Sequence, residues 1–340
     1  MLTTMTEPLR FIDLFCGIGG FRIAAEQVCK EKKIKAECVF SSDIDPDAQK
    51  VYSANFGEQP TGDITQVEAR TIPDHDILFG GFPCQAFSII GDRKGFDDTR
   101  GTLFFDIARI LAEKKPKAFV LENVKQLVSH DKGKTLSIIL ETLHDLGYHV
   151  EYRILNALEF GLPHKRERIF IGGFREPLNF NWPIGNVPMK PLENVLESTV
   201  NDFYYASVQI RENRKNSREG KKTFAEATIW HENKGGNIGV HPFSCALRAG
   251  ASYNYLLVNG ERRLTEREML RLQGFPESFK INVGYGAMRK LVGNSVAVPV
   301  VAALVKNVVE TLGKRQVKSL QPSLFAPTST KQETPELLWN

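Results

Sequence analysis

The sequence predicts an α/β protein: a mostly parallel twisted sheet with helices on both faces, plus a small irregular domain. Three observations lead there. Short apolar runs alternate with helix-length amphipathic stretches through the first half of the chain, the pattern of strands joined by covering helices. Polar and glycine-rich segments follow the ends of those runs, at the edge where open α/β sheets bind ligands. Beyond Arg175 the periodicity fades, and residues 176–255 are rich in Pro, Asn and Gly.

The elements follow in order. Phe11-Ile12-Asp13-Leu14-Phe15 reads as a strand leading into a glycine turn and a helix. Cys38-Val39-Phe40 reads as a second strand, ending at Ser41-Ser42-Asp43. Asp45-Pro46 then opens a helix, the acid as cap and the proline at the first helical position. Ile77-Leu78-Phe79 is a third strand. Residues 102–115 form an amphipathic helix stopped by Pro116, and Ala118-Phe119-Val120-Leu121 is a strand ending at Glu122-Asn123. Residues 136–146 are helical, with Gly147 as the stop, and Ile169-Phe170-Ile171 closes the series. After the irregular region, Thr265 and Glu268 make a capping box for a short helix that Gly274 ends. Residues 296–312 form a final apolar helix, and the Ser/Thr/Pro/Gln-rich tail from 318 to 340 is expected to be disordered. The expected boundaries are 1–178 for a catalytic and cofactor-binding domain, 179–262 for a recognition domain, 263–317 for a hinge and return, and 318–340 for the tail.

Composition narrows the classes. The five cysteines are odd in number and contain no Cys-x-x-Cys pair, so neither a disulfide framework nor a zinc site is suggested. No His-Glu-x-x-His pattern occurs, and no metal is expected. No run reads as long and apolar enough to span a membrane, and residues 1–10 lack the apolar core of a secretory signal. A cytoplasmic enzyme is the expectation. The net charge of +4 permits nucleic-acid binding without demanding it. Arg211, Arg214, Lys215, Arg218, Lys221 and Lys222 cluster against only Glu212 and Glu219; a solvated face is the plain reading of such a run.

Five constellations carry chemistry. Asp13-Leu14-Phe15-Cys16-Gly17-Ile18-Gly19-Gly20 is a glycine turn after the first strand, where a ligand can approach backbone N–H groups. With Asp43 after the second strand, an acid suited to ribose hydroxyls, it points to a nucleoside cofactor. The spacing is not Gly-x-Gly-x-x-Gly, which disfavours a dinucleotide. Cys84 follows Gly80-Gly81-Phe82-Pro83 in a polar, Gly-rich loop. A lone cysteine is usually a small buried hydrophobe, but this setting fits a nucleophile. Glu122 fits either a proton donor facing the same edge or a cap on the next helix. Arg166 and Arg168 share one side of an extended segment and can hold a carbonyl oxygen or phosphates. Gly293-Asn294-Ser295 before an apolar helix says little alone.

Together these segments resemble the cytosine-5 DNA methyltransferases, particularly the bacterial restriction-modification type. The resemblance covers about residues 8–313. It rests on an ordered set: the Phe15–Gly20 turn, Gly62-Asp63-Ile64, Pro83-Cys84-Gln85, Glu122-Asn123-Val124, Arg166-x-Arg168, Arg271-Leu272-Gln273-Gly274-Phe275-Pro276 and Gly293-Asn294-Ser295. It implies the S-adenosylmethionine-dependent methyltransferase fold and S-adenosyl-L-methionine as methyl donor. In its cofactor pocket Phe15 packs on adenine, and Gly17, Gly19 and Gly20 approach the methionine part. Asp43 binds ribose, with Ile44 against adenine, and Asp63 and Ile64 read the adenine edge. Gly81, Pro83, Leu103, Asn294, Ser295 and Val296 complete the pocket. It implies Cys84 attacking cytosine C6, Glu122 donating to N3, and Arg168 with Arg166 at O2, on a cytosine flipped out of double-stranded DNA. Residues 83–102 would close over that base, with Gly91, Gly95 and Gly101 as pivots and Arg93, Lys94 and Arg100 on phosphates. The irregular region then reads as the target-recognition domain, which moves the basic run toward DNA and sets Tyr253, Asn254 and Tyr255 near the groove. A monomer acting beside a cognate restriction endonuclease is expected. Three positions depart from the commonest pattern: Cys16 where Ala or Ser is usual, His164 where Gln is frequent, and Ala246-Leu247 where Thr-Leu is frequent. An RNA-methylating relative and a non-catalytic DNA-binding protein are the rival readings.

Overall fold

The computed structural model describes residues 7–83, 103–217 and 226–320. Its frame is a six-stranded sheet. In chain order the elements are β1 (Leu9–Leu14), α1 (Gly20–Glu31), β2 (Ala36–Ser42), α2 (Pro46–Phe56), β3 (Ile77–Gly80), α3 (Leu103–Lys114), β4 (Ala118–Val124), α4 (Lys134–Asp145), β5 (His149–Asn156), β6 (His164–Lys165) and β7 (Glu167–Phe174). The sheet order is β2-β1-β3-β4-β7-β5. The β2/β1, β1/β3 and β3/β4 pairs are parallel, while β7 runs antiparallel to both of its neighbours. The expectation of a mostly parallel sheet therefore holds, with one reversed strand. That reversal matters, because it returns the start of β7 to the edge where β1 to β4 end.

Strand periodicity splits the core in two. Phe11, Ile77, Phe79, Val120 and Phe170 face one layer, together with α1 and the last helix. Ile12, Leu14, Leu78, Phe119, Leu121 and Ile169 face the other, with α3 and α4. Both faces of every central strand are thus apolar, which is why these strands read as continuous apolar runs. Several boundaries differ from the sequence reading. β5 was not anticipated, because its residues are mostly half-exposed and its pattern HVEYRILN lacks an apolar run. β4 continues to Val124, so Glu122 lies inside the strand rather than after it.

The remainder holds α5 (Val208–Asn216), β8 (Ile229–Glu232), β9 (Ile238–His241), β10 (Ser244–Cys245), β11 (Leu256–Val258), α6 (Glu266–Leu272), α7 (Tyr285–Asn294) and α8 (Val298–Leu320). The region expected to be irregular contains a small antiparallel sheet, β11-β8-β9. The Thr265–Glu268 capping box forms as expected, and Arg262 adds a buried ion pair to Glu268 at 2.8 Å. One expectation is corrected: residues 285–313 are long and apolar enough, by length and composition, to cross a membrane. The stretch is broken at Ser295 between α7 and α8, and 67% of its most apolar window is buried in the protein. Here α8 is a core helix, packed in the layer it shares with α1.

Candidate active site

The glycine turn comes first. After β1 the chain enters the left-handed region at Phe15 (φ 56°), Gly17 (φ 53°) and Gly19 (φ 82°). Gly19 caps α1, and a Cβ there would lie 2.3 Å from the Phe56 ring, so only glycine fits. A Cβ on Gly17 would meet nothing within 4 Å, so open space lies over that residue. Asp43, just past β2, accepts the Gly17 N–H through Oδ2 at 2.7 Å and the Asp45 N–H through Oδ1 at 2.8 Å. Burial pushes its carboxyl above the usual range, and these two donors oppose that shift. Ile44 beside it is 71% exposed, an aliphatic face turned to solvent. Asp63 caps its own short turn through Thr65. Ile64 is buried, and its carbonyl accepts from Arg109 of α3. Gly20 lies against Ser295 and Val296, both buried, so a Cβ there would be 2.6 Å from Val296 Cγ2. Leu103 is half-buried and Asn294 exposed. A bare glycine turn, a paired-donor acid and an exposed aliphatic face fit the sugar and ring of a nucleoside.

A second cluster sits on β4 and β7, across β3 from the glycine turn. The β4/β7 register sets Val124 opposite Arg168, so Arg168 lies on the same face as Glu122, two residues back along β4. The two side chains meet, Arg168 Nε to Glu122 Oε1 at 2.9 Å. The guanidinium and carboxyl thus form a buried ion pair. Burial pushes the Glu122 carboxyl up, opposed by Arg168 and Arg166. Such an acid holds its proton more readily than an ordinary carboxyl does. Gly81 adjoins it, with a Cβ there 3.7 Å from Glu122 Oε2, and Asn123 Nδ2 donates to the Phe82 carbonyl at 2.9 Å. The Gly81–Pro83 segment is thereby tied to the end of β4, with Pro83 exposed. Cys84 and the rest of the 84–102 loop, Arg93, Lys94 and Arg100 included, lie outside the described residues.

Arg166 behaves differently from Arg168. It is buried, and its guanidinium donates to the carbonyls of Leu247, Gly293 and Ser295. It braces the start of β7 against the second half of the chain, and its charge also acts on Glu122. His164 has a parallel job. Its Nε2 accepts the Leu247 N–H at 3.3 Å and its Nδ1 donates to the Leu272 carbonyl at 3.2 Å. Burial, with Arg166 and Arg168 nearby, holds this ring neutral, well below the usual histidine range.

Other expectations shift. Arg214, in the basic run, is buried and bound to Glu232, the Trp230 carbonyl and the Asn254 carbonyl, so it is a strut inside the small domain. Lys215 pairs with Glu261. Arg218, Lys221 and Lys222 lie outside the described residues. Tyr255 is buried, while Tyr253 is exposed and stacked on Tyr285. Sequence reasoning missed a cleft of about 410 Å³ beside Arg168, whose walls include Lys125, Lys165, His231, His241 and Cys245. No local motif marks these residues, because the strands that gather them are distant in sequence. It also missed that Asp13 is fully buried with neither oxygen hydrogen-bonded among the described residues. Burial pushes this carboxyl up to about 8, with Asp43 adding to the shift and Arg22 opposing it.

The chain matches the family profile of the C-5 cytosine-specific DNA methylases over residues 9–310. It belongs to that family. It is 55% identical to the Type II methyltransferase M.NgoBI of Neisseria gonorrhoeae over 294 residues, 86% of this chain and 90% of that protein. It is 51% identical to M.HaeII of Haemophilus aegyptius, covering 93% and 97% of the two. It is 43% identical to M.HhaI of Haemophilus parahaemolyticus, covering 89% and 95%. In fold it is similar to the Entamoeba histolytica methyltransferase EhMeth (TM-score 0.68, 19% identity, 90% of this chain and 99% of that one). The Dnmt2 methyltransferase of S. pombe is a second such structure (TM-score 0.67, 23% identity, 89% and 99%). This chain is therefore a DNA cytosine-5 methyltransferase of the bacterial restriction-modification type, on the methyltransferase fold.

Proposed function

We propose that this methyltransferase methylates C5 of one cytosine in a specific short duplex sequence, through a covalent bond between Cys84 and C6, with S-adenosyl-L-methionine as donor. The observation that carries the reading is the buried Glu122–Arg168 pair, at the same sheet edge as the glycine turn and Asp43, with Gly81–Pro83 leading from that edge into Cys84.

Cytosine C5 is a weak nucleophile. The Cys84 thiolate adds to C6, and the displaced electron pair moves into the ring, enriching C5. Glu122 donates its proton to N3, and Arg168 holds O2, so charge on the ring is met from both sides. Bound S-adenosylmethionine supplies the electrophilic methyl group that C5 takes. A base then removes the C5 proton, the C5–C6 double bond reforms, Cys84 leaves as thiolate, and N3 returns its proton to Glu122. Phe15, Gly17, Gly19, Gly20, Asp43, Ile44, Asp63, Ile64, Gly81, Pro83, Leu103, Asn294, Ser295 and Val296 are assigned to the cofactor. Arg166 supports this chemistry by bracing the Ser295 end of the pocket. A stacked base cannot reach a pocket at the sheet edge, so the cytosine is flipped out of the duplex. Residues 179–262 act as the recognition domain, the protein works as a monomer in the cytoplasm, and its mark protects DNA from a companion restriction endonuclease.

Bisulfite sequencing of unmethylated plasmid incubated with the protein and S-adenosylmethionine tests this. The expected result is protected cytosine at one position of one short motif. Label transferred to adenine, to cytosine N4, or to tRNA in preference to duplex overturns it.

A further inference from the structure

The cleft beside Arg168 is lined by two unlike sets of side chains. Lys125, Lys165 and Arg168 bring cations, with Glu167 paired to Lys125 at 2.8 Å, and His231 and His241 of the β8–β9 hairpin bring imidazoles. The hairpin register pairs Ile229 with His241 and His231 with Gly239. Both imidazoles therefore project from the same face of the hairpin. Gly239 keeps that face open, since a Cβ there would lie 2.8 Å from His241 Nε2. Each ring is held by an aromatic neighbour. His241 stacks on Phe243 with centroids 5.2 Å apart and planes at 18°, and His231 meets Tyr255 edge-on at 6.2 Å and 84°. Packing thus fixes both rings, yet neither makes a hydrogen bond to another described residue.

The charge state separates the two sets further. Burial lowers both histidines below their usual range, assisted by Arg248, His241 and Arg214 at His231, and by Lys165 at His241. At neutral pH each ring is uncharged and offers one N–H donor and one acceptor. The lysines supply cations, which suit phosphates and carry no sequence information. A rigid neutral ring with a directional donor and acceptor suits a base edge, where the pattern of donors and acceptors differs between base pairs. We propose that His231 and His241 are specificity-determining residues that read base-pair edges beside the target cytosine, while Lys125 and Lys165 hold the backbone. This rests on duplex DNA being the substrate, and adds which side chains select the sequence.

The test is enrichment of the full-length protein on a randomised duplex library, with His231→Ala and His241→Ala compared with the parent. Each alanine variant is expected to relax preference at one or two base positions by about tenfold, the scale of one good base contact. Preference at the other positions and affinity for S-adenosylmethionine should stay within about twofold. An unchanged motif overturns the proposal, and so does an equal loss of affinity at every position, which marks a phosphate or purely structural role. If the alanine variants melt early, His231→Gln and His241→Gln retain a donor and an acceptor with altered reach. They should then shift the preferred base, and an unshifted preference overturns the proposal. A parent that enriches a motif yet deposits no 5-methylcytosine contradicts the methyl-transfer chemistry and leaves the base-reading assignment standing.

Discussion

The edge proposed for the cofactor and the half proposed for target recognition are held by different physics. At the cofactor edge, contacts come from residues close to strand ends: Gly17 to Asp43, Asp45 to Asp43, Asp63 to Thr65. Pairing of β1 with β2 brings the first together, and the other two are local turns. The recognition half is held to the sheet by buried polar struts that span the chain. Arg166 reaches Leu247, Gly293 and Ser295, His164 joins Leu247 to Leu272, and Gln273 donates to the Val292 carbonyl. Arg166 and Arg168, two residues apart, mark the boundary between these modes. One is a structural brace, and the other is paired with Glu122.

That contrast can be broken most sharply at the acid itself. Glu122→Gln should lower kcat by about 100-fold or more, the usual scale for a general acid. Urea midpoint and binding of both substrates should change little, because the amide keeps the shape. Arg168→Ala should lower kcat on a similar scale. Single-turnover methyl transfer against the urea midpoint checks both. Arg166→Ala should do the reverse: leaving buried carbonyls without donors should cost about 3 kcal/mol of stability, read from the urea midpoint. Arg166→Lys should recover less than half, since an ammonium lacks the planar fork that spans three acceptors. A variant at Arg166 that is slow but fully stable would dissolve the distinction between the two arginines.

At the cofactor edge, Asp43→Asn should raise the S-adenosylmethionine Kd about tenfold, the loss of one charge-assisted contact, with DNA affinity unchanged by calorimetry. A pH-dependent prediction concerns Asp13. Its folded pKa of about 8 lies above the ordinary 3.8, so the folded chain holds a proton that the unfolded chain has released between those values. Stability should therefore fall as pH rises from about 4 to about 8, and level off above. Asp13→Asn should remove that part of the slope in melting temperature against pH.

The first half of the fold was legible because its strands are buried on both faces and read as apolar runs between capped helices. Asp45 as a cap, Pro46 at the helix start and the Thr265–Glu268 box all appear as expected. β5 was not legible, since half-exposed residues blur its pattern. Nor was the fate of Arg214, whose burial depends on Glu232 and the Asn254 carbonyl, neither of them a local neighbour. Glu122 and Arg168 were legible as residues, but their meeting follows from β7 running antiparallel to β4, which no spacing in the sequence specifies. The histidine wall of the cleft was invisible for the same reason: β8, β9 and β6 are brought together only by the tertiary fold.

The covalent chemistry at Cys84 is the central claim, and trapping tests it most directly. A duplex bearing 5-fluorocytosine at the target position blocks the final proton removal. With S-adenosylmethionine present, the parent protein should form a denaturant-stable complex whose digest gives a Cys84 peptide linked to the base, and Cys84→Ser should form none. Methyl transfer by the parent without any trapped complex, or equal trapping by Cys84→Ser, would contradict the account.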